Sequence, residues 1–133
     1  MVIPYEYLMI LADSTGYQEQ NALKEVTSMT NDYGVELDRN GYAPSIAIHA
    51  EGCDLCRRRD RPLQRHEVFH GPYRKRAKAL GCWLWICDIC HDRIHFHDAQ
   101  LQLYTKQLMQ QTAMEHYGWT VEQFRAEFGR SYL

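Results

Sequence analysis

The sequence predicts an α+β fold in two parts, a small acidic β-α-β-β appendage over residues 1–50 and a zinc-stabilised domain over residues 51–133. Three observations carry this expectation. Short apolar and aromatic runs alternate with segments of helical periodicity, the charge divides unevenly along the chain, and all five cysteines fall between positions 53 and 90. With 133 residues, of which 45% are hydrophobic and 24% charged, there is material for one compact core and too little for two ordinary domains.

The opening stretch, Val2 to Leu11, is apolar and aromatic enough for a strand, which Asp13 to Gly16 would end. Ala22, Leu23, Val26 and Met29 recur at helical spacing and predict a short amphipathic helix from Gln18 to about Thr30. Val35–Leu37 and Tyr42–Ile48 flank Asn40-Gly41, a pair suited to positive φ, and so predict a hairpin whose second strand Pro44 confines to an edge. Further on, Arg65–Phe69 and Cys82–Ile86 read as strands and Asp88 to about Phe96 as a short helix. Leu101, Tyr104, Leu108 and Thr112, with Met109 and Ala113, predict one face of a longer helix ending near Gly118. A last helix starts at Thr120, capped with Gln123, and runs to Phe128, with Gly129 placed to end it. Trp83 and Trp85 share one face of the second strand and Leu84 and Ile86 the other, so the C-terminal helices are expected to cover it.

The longest apolar run, Tyr7 to Ala12, falls far short of the roughly 20 residues a membrane span requires, and the opening lacks the pattern of a secretion signal. The expectation is a cytoplasmic protein with no membrane partner. Residues 1–50 hold two basic residues against seven acidic ones, a net −5, whereas Cys53 to Lys78 hold nine against three, a net +6. Such a basic island suits a polyanion, and equally a solvated charged face.

Cys53-x-x-Cys56 and Cys87-x-x-Cys90 carry the strongest chemical signal. An odd count of cysteines without a secretion signal argues against a disulfide framework, while two such pairs can supply four thiolates to one tetrahedral zinc. The competing reading is a redox dithiol, which needs only one pair and a thioredoxin-like setting that neither pair has. Cys82, beside Trp83, reads as a small buried hydrophobe. A second constellation is made of histidines. His91 and His95 are four apart on the predicted short helix, so their rings share a face and can hold one divalent ion with positions left open, or stand simply as exposed helix histidines. His66, on the first strand of the domain, has an ordinary pKa near neutrality and could accept a proton from water.

The order of Cys-x-x-Cys, strand histidine, basic stretch, strand, Cys-x-x-Cys-His and a further His resembles the HNH, or ββα-metal, endonucleases. The segments His66-Glu67-Val68-Phe69-His70-Gly71, Arg74, Gly81 to Cys87, His91 and Ile94-His95-Phe96, with the tail Tyr117-Gly118, Phe124, Phe128-Gly129-Arg130 and Tyr132-Leu133, are similar to phage and prophage members related to recombination-enhancement nucleases. The likeness covers residues 53–133 and leaves residues 1–50 unexplained. It implies a ββα-metal core, DNA as substrate, a bacterial host cytoplasm, His66 as general base, and His91 and His95 as ligands of a catalytic Mg²⁺ or Mn²⁺ beside the structural zinc of Cys53, Cys56, Cys87 and Cys90. By the same likeness Arg57, Arg58, Arg59, Arg61, Arg74, Lys75, Arg76 and Lys78 would hold phosphates. Three positions depart from the family pattern. Gln64 stands where relatives often carry a carboxylate, which Glu67 could replace from the other face; Tyr73 stands in place of the middle asparagine, with a hydroxyl able to pin the loop; and Ala77 replaces a serine. These departures leave a second function open, a catalytically weakened or inactive scaffold that engages a nucleic-acid-processing protein through its acidic residues 1–50.

Overall fold

The computed structural model of the chain describes residues 29–133. Among these it is mixed α/β, with one two-stranded sheet and four helices, all of them after residue 62. The chain divides into two units, the first ending at Ala43 and the second spanning Pro44–Leu133. The strand expected at Val2–Leu11 and all but the end of the following helix lie outside the described residues.

Short side chains dictate the described part of the first unit. Asn31 Oδ1 accepts the amides of Tyr33 and Val35 at 2.9 and 3.0 Å, and the turn so formed is closed by a bridge between Thr30 and Glu36. Met29 and Thr30, expected to end a helix, are therefore extended, with the Met29 carbonyl accepting the Leu37 amide at 3.0 Å. Asp38 Oδ1 likewise takes the amides of Asn40 and Tyr42. Backbone bonds close this turn as well, from the Asp38 amide to the Tyr42 carbonyl and from the Gly41 amide to the Asp38 carbonyl, both at 2.9 Å, but the expected strands do not flank it: Asp38 takes the Tyr42 amide, Met29 takes that of Leu37, and Pro44 has none to offer. In the second unit Ile46 donates to the Gly81 carbonyl at 3.0 Å and the Ser45 hydroxyl to the Trp83 carbonyl at 2.7 Å, so this segment lies against the sheet without forming a strand.

Strand β1, Leu63–Glu67, pairs antiparallel with β2, Trp83–Cys87, in the register His66 opposite Leu84 and Glu67 opposite Trp83. Opposed residues share a face, so His66 and Gln64 stand with Leu84 and Ile86, while Arg65 and Glu67 stand with Trp85 and Trp83. The connection that reads as a basic loop in the sequence folds as a 3₁₀ turn, Gly71–Tyr73, followed by helix α1, Arg74–Ala79. Ala77 of α1 is wholly buried and its carbonyl accepts the Cys82 amide at 2.8 Å, so a serine there would bring a hydroxyl into the core. Helix α2, Asp88–Asp92, runs directly into a π-helical turn, Arg93–His97, in place of one uninterrupted α-helix. Helix α3 spans Ala99–Tyr117 and α4 Val121–Phe128. The capping box of Thr120 and Gln123 forms as expected, and Gly118 and Gly129 end the two helices with positive φ.

Phe69, Phe124 and Phe128 meet at ring-centroid distances of 4.4 to 5.3 Å and anchor a core that includes Leu84, Ile86, Met109 and Ala113. The C-terminal helices thus cover the sheet. The buried face of α3 is rotated from the expected one: Thr105, Met109, Gln110 and Ala113 are buried, whereas Tyr104 and Leu108 are 57% and 42% exposed. Met109 and Ala113 are expected there; hydrophobic periodicity missed the other two because they are polar and satisfied, Thr105 by the Leu101 carbonyl and Gln110 by the C-terminal tail. Among the described residues no helix is long and apolar enough to cross a membrane.

A methyl group on Gly129, at φ 83°, would run into the Tyr73 hydroxyl. Gly129→Ala should therefore lower unfolding free energy by about 1–3 kcal/mol, read from urea denaturation. Adding Tyr73→Phe should restore the part due to the hydroxyl and leave the parts due to the ring carbon Cζ, 2.7 Å away, and to the backbone conformation.

Candidate metal centres

Two groups of side chains among the described residues could hold a metal ion, Cys53, Cys56, Cys87 and Cys90 in one and His66, His91 and His95 in the other, with ligand atoms within 4.8 Å of one another in each. The first begins in the turn after Gly52. The Cys53 amide donates to the Arg58 carbonyl at 2.9 Å and the Arg57 amide to the Cys53 carbonyl at 2.8 Å, with Arg57 at φ 64°. A Cβ at residue 52 would lie 2.5 Å from the Arg58 oxygen, so only glycine permits this closure. The second turn is the junction of β2 with α2, where Cys87 caps the helix and its sulfur accepts the Cys90 amide at 3.4 Å.

Backbone donors polarise these sulfurs. Cys53 Sγ accepts from the amides of Cys56 at 3.5 Å and Cys87 at 3.3 Å, the latter tying the two turns together. Burial pushes the Cys53 thiol up, but the amides of Cys56, Cys87 and Leu55 together outweigh it and bring the group down to about 7. Burial raises Cys56 and Cys90, the latter also through the neighbouring sulfurs. Cys56 Sγ and Cys87 Sγ are 3.7 Å apart, close to the edge of about 3.8 Å that four zinc–sulfur bonds of about 2.3 Å define. The donor set therefore fits one soft tetrahedral dication such as zinc. Cys82 stands outside it, fully buried, with its thiol pushed up by burial.

Sequence reasoning did not single out Asp54, which binds the first turn to the sheet. Its carboxylate, 5% exposed, accepts the amides of Trp85 at 2.8 Å and Ala50 at 3.1 Å and bonds His49 Nδ1 at 2.6 Å. An aspartate inside a Cys-x-x-Cys turn has no sequence signal for this role, since its partner on the sheet, Trp85, lies 31 residues away.

The histidine group sits where β1, α2 and the π-helical turn meet. Its ring centroids are 5.7 Å apart for His66 and His91, 5.5 Å for His66 and His95, and 4.4 Å for His91 and His95. The Nε2 atoms of His91 and His95 are 3.1 Å apart, within the interval of about 3.0–3.4 Å that two bonds of about 2.1 Å to one ion produce. Exposure rises from buried His66 through half-buried His91 to exposed His95, so the cluster opens to solvent on one side. Burial, followed by the charges of His91 and His95, holds His66 down at about 4. His91 is lowered by burial and by His95, and neutral imidazoles are what a metal requires.

The remaining sequence-derived residues divide. Gln64 is exposed on the His66 face. Glu67 is on the opposite face, pairs with Arg74 at 3.2 Å, and still raises His66 and His91 through its charge. Tyr73, expected to pin the catalytic loop, instead packs its ring 6.4 Å from that of Phe128 with its hydroxyl at Gly129, so it belongs to the core rather than to the histidine cluster. Of the eight basic residues expected to hold phosphates, five already face carboxylates: Arg58 with Asp60, Arg59 with Glu51, Arg61 with Asp88, Arg74 with Glu67 and Arg76 with Glu127.

Because the folded chain refuses at His66 a proton that the unfolded chain accepts below about pH 6.5, acidification must destabilise the fold through that window. Between pH 6.5 and 5.5 the contribution is about 1 kcal/mol. Urea denaturation of wild type and His66→Gln at the two pH values should differ by this amount, with the wild type the more acid-sensitive. No protein-family model, no curated protein and no solved structure matches this chain.

Proposed function

We propose that the chain is a divalent-metal-dependent DNA endonuclease of the HNH kind, its fold held by zinc at Cys53, Cys56, Cys87 and Cys90. The observation that carries this reading is the convergence of His66, His91 and His95 beside, and separate from, a four-cysteine cluster. The element order β1, β2, α2 and the π-helical turn under His95 add support, such turns being frequent at functional sites.

In this reading His91 and His95 hold a Mg²⁺ or Mn²⁺ ion through their close Nε2 atoms. That ion, when bound, supplies a positive charge for the oxygens of the phosphate under attack and for the departing 3′ oxygen. His66, kept neutral by burial, takes the proton of the attacking water. Gln64, on the same face and in contact with solvent, is placed to orient that water or a phosphate oxygen. Imidazole donors without a carboxylate favour Mn²⁺ over Mg²⁺, because Mg²⁺ prefers oxygen ligands. A second reading, an inactive scaffold acting on a protein partner through residues 1–50, draws on the core position of Tyr73, which leaves the family's loop-pinning role unfilled.

Zinc-loaded protein should nick supercoiled DNA with added Mn²⁺, more slowly with Mg²⁺, and His66→Ala should reduce the rate by about 10²–10⁴-fold without altering the far-ultraviolet circular dichroism. No cleavage of supercoiled or single-stranded DNA with either ion across neutral pH would remove the nuclease reading in favour of the scaffold. Metal analysis should find one zinc per chain. Stripping it with a strong chelator should cost the second unit its structure, since such sites contribute about 10–16 kcal/mol to folding; unchanged dichroism after complete removal would contradict the zinc assignment.

A further inference from the structure

The charge that marks the basic island in sequence is largely spoken for by carboxylates in space, while a different pair of cations is gathered close to the histidines. Lys106, on α3, and Arg130, just beyond α4, both approach the Tyr132 ring, with Nζ 5.1 Å and Cζ 4.9 Å from its centroid. Neither makes an ion pair among the described residues. Their like charges repel, and behind burial the Arg130 charge is what lowers Lys106.

The fold nevertheless fixes the ring they both approach. Gln110, fully buried, uses both ends of its amide on the C-terminal tail, accepting the Tyr132 amide at 2.7 Å and donating to the Ser131 hydroxyl at 2.9 Å. Gln107 donates to the Tyr132 carbonyl at 2.8 Å, and the Tyr132 ring stacks on Phe69 at 5.7 Å. The clamp fixes the Tyr132 ring on which both cations converge, and two cations that share one aromatic ring and have no carboxylate partner among the described residues are a site for an anion. The site also adjoins the cluster. The Tyr132 ring stacks on Phe69, and the ring of the next residue, His70, is 6.1 Å from that of His95.

We propose that Lys106 and Arg130 form a phosphate subsite that holds the backbone of the DNA strand to one side of the bond at the histidine cluster. This rests on the nuclease reading and adds the direction in which the strand leaves the site, over α3 and the C-terminal tail. Contacts of this kind give affinity and salt dependence without base preference.

Binding of a fluorescent single-stranded oligonucleotide to the full chain, zinc-loaded and carrying His66→Ala so that nothing is cut, tests it over a salt series. Adding Lys106→Gln and Arg130→Gln should flatten the slope of log K against log salt by about 1.4, or about 0.7 for each phosphate that is no longer neutralised. Arg130→Gln alone, which alters an exposed side chain, should give half the change if the double variant is poorly folded. An unchanged slope with binding intact would overturn the subsite and leave the nuclease reading standing. Failure of the His66→Ala parent to bind single- or double-stranded DNA would remove both.

Discussion

The contact between two Cys-x-x-Cys turns governs the second unit. The amide of Cys87 donates to the sulfur of Cys53, which sets the end of β2 against the turn at residues 53–56 and fixes where α2 begins. His91 and His95 lie one and five residues beyond Cys90, so their position is inherited from that junction. His66 reaches them through the pairing of β1 with β2. Four sulfurs this close cannot all be thiolates without a compensating dication, so a metal bound there would also set the placement of the histidines.

Around this junction the chain separates its proton chemistry. The sulfur group gathers amides that favour negative charge on Cys53, whereas the histidine group is arranged against positive charge, through burial and through mutual repulsion of the rings. One group is thereby suited to a soft cation held by four sulfurs, of which those of Cys53, Cys87 and Cys90 belong to buried residues. The other is suited to neutral imidazoles around an ion with an open face toward solvent. The proposed nuclease activity needs both properties, a closed scaffold and an open reaction site, and the chain supplies them within 43 positions of each other, from Cys53 to His95.

Much of this was legible in the residues, because metal-ligand spacing and helix caps are local signals. The two thiol pairs, the i, i+4 histidines, the Thr120–Gln123 box and the burial of Cys82 depend on neighbours within a few positions. What was not legible depends on partners far away. Gln110 is buried because the tail 21 to 22 residues on occupies its amide, and Tyr73 is drawn into the core by Phe128. At Asn40-Gly41 the turn forms without its strands, because Asp38 takes the Tyr42 amide and Met29 that of Leu37, a choice between short-range preferences that composition does not decide. The ion pairs of the arginine-rich stretch were hidden in the same way, since charge counted along the chain takes no account of the carboxylates that fold against it.

The account therefore stands on the histidines being presented as one site by the cysteine junction. Titrating zinc-loaded protein with Mn²⁺ while following the ring-proton resonances of His66, His91 and His95 by NMR measures this directly. Joint paramagnetic broadening of all three at one equivalent is the expected result. Broadening that leaves His66 sharp, or that falls on residues remote from the cluster, would contradict it.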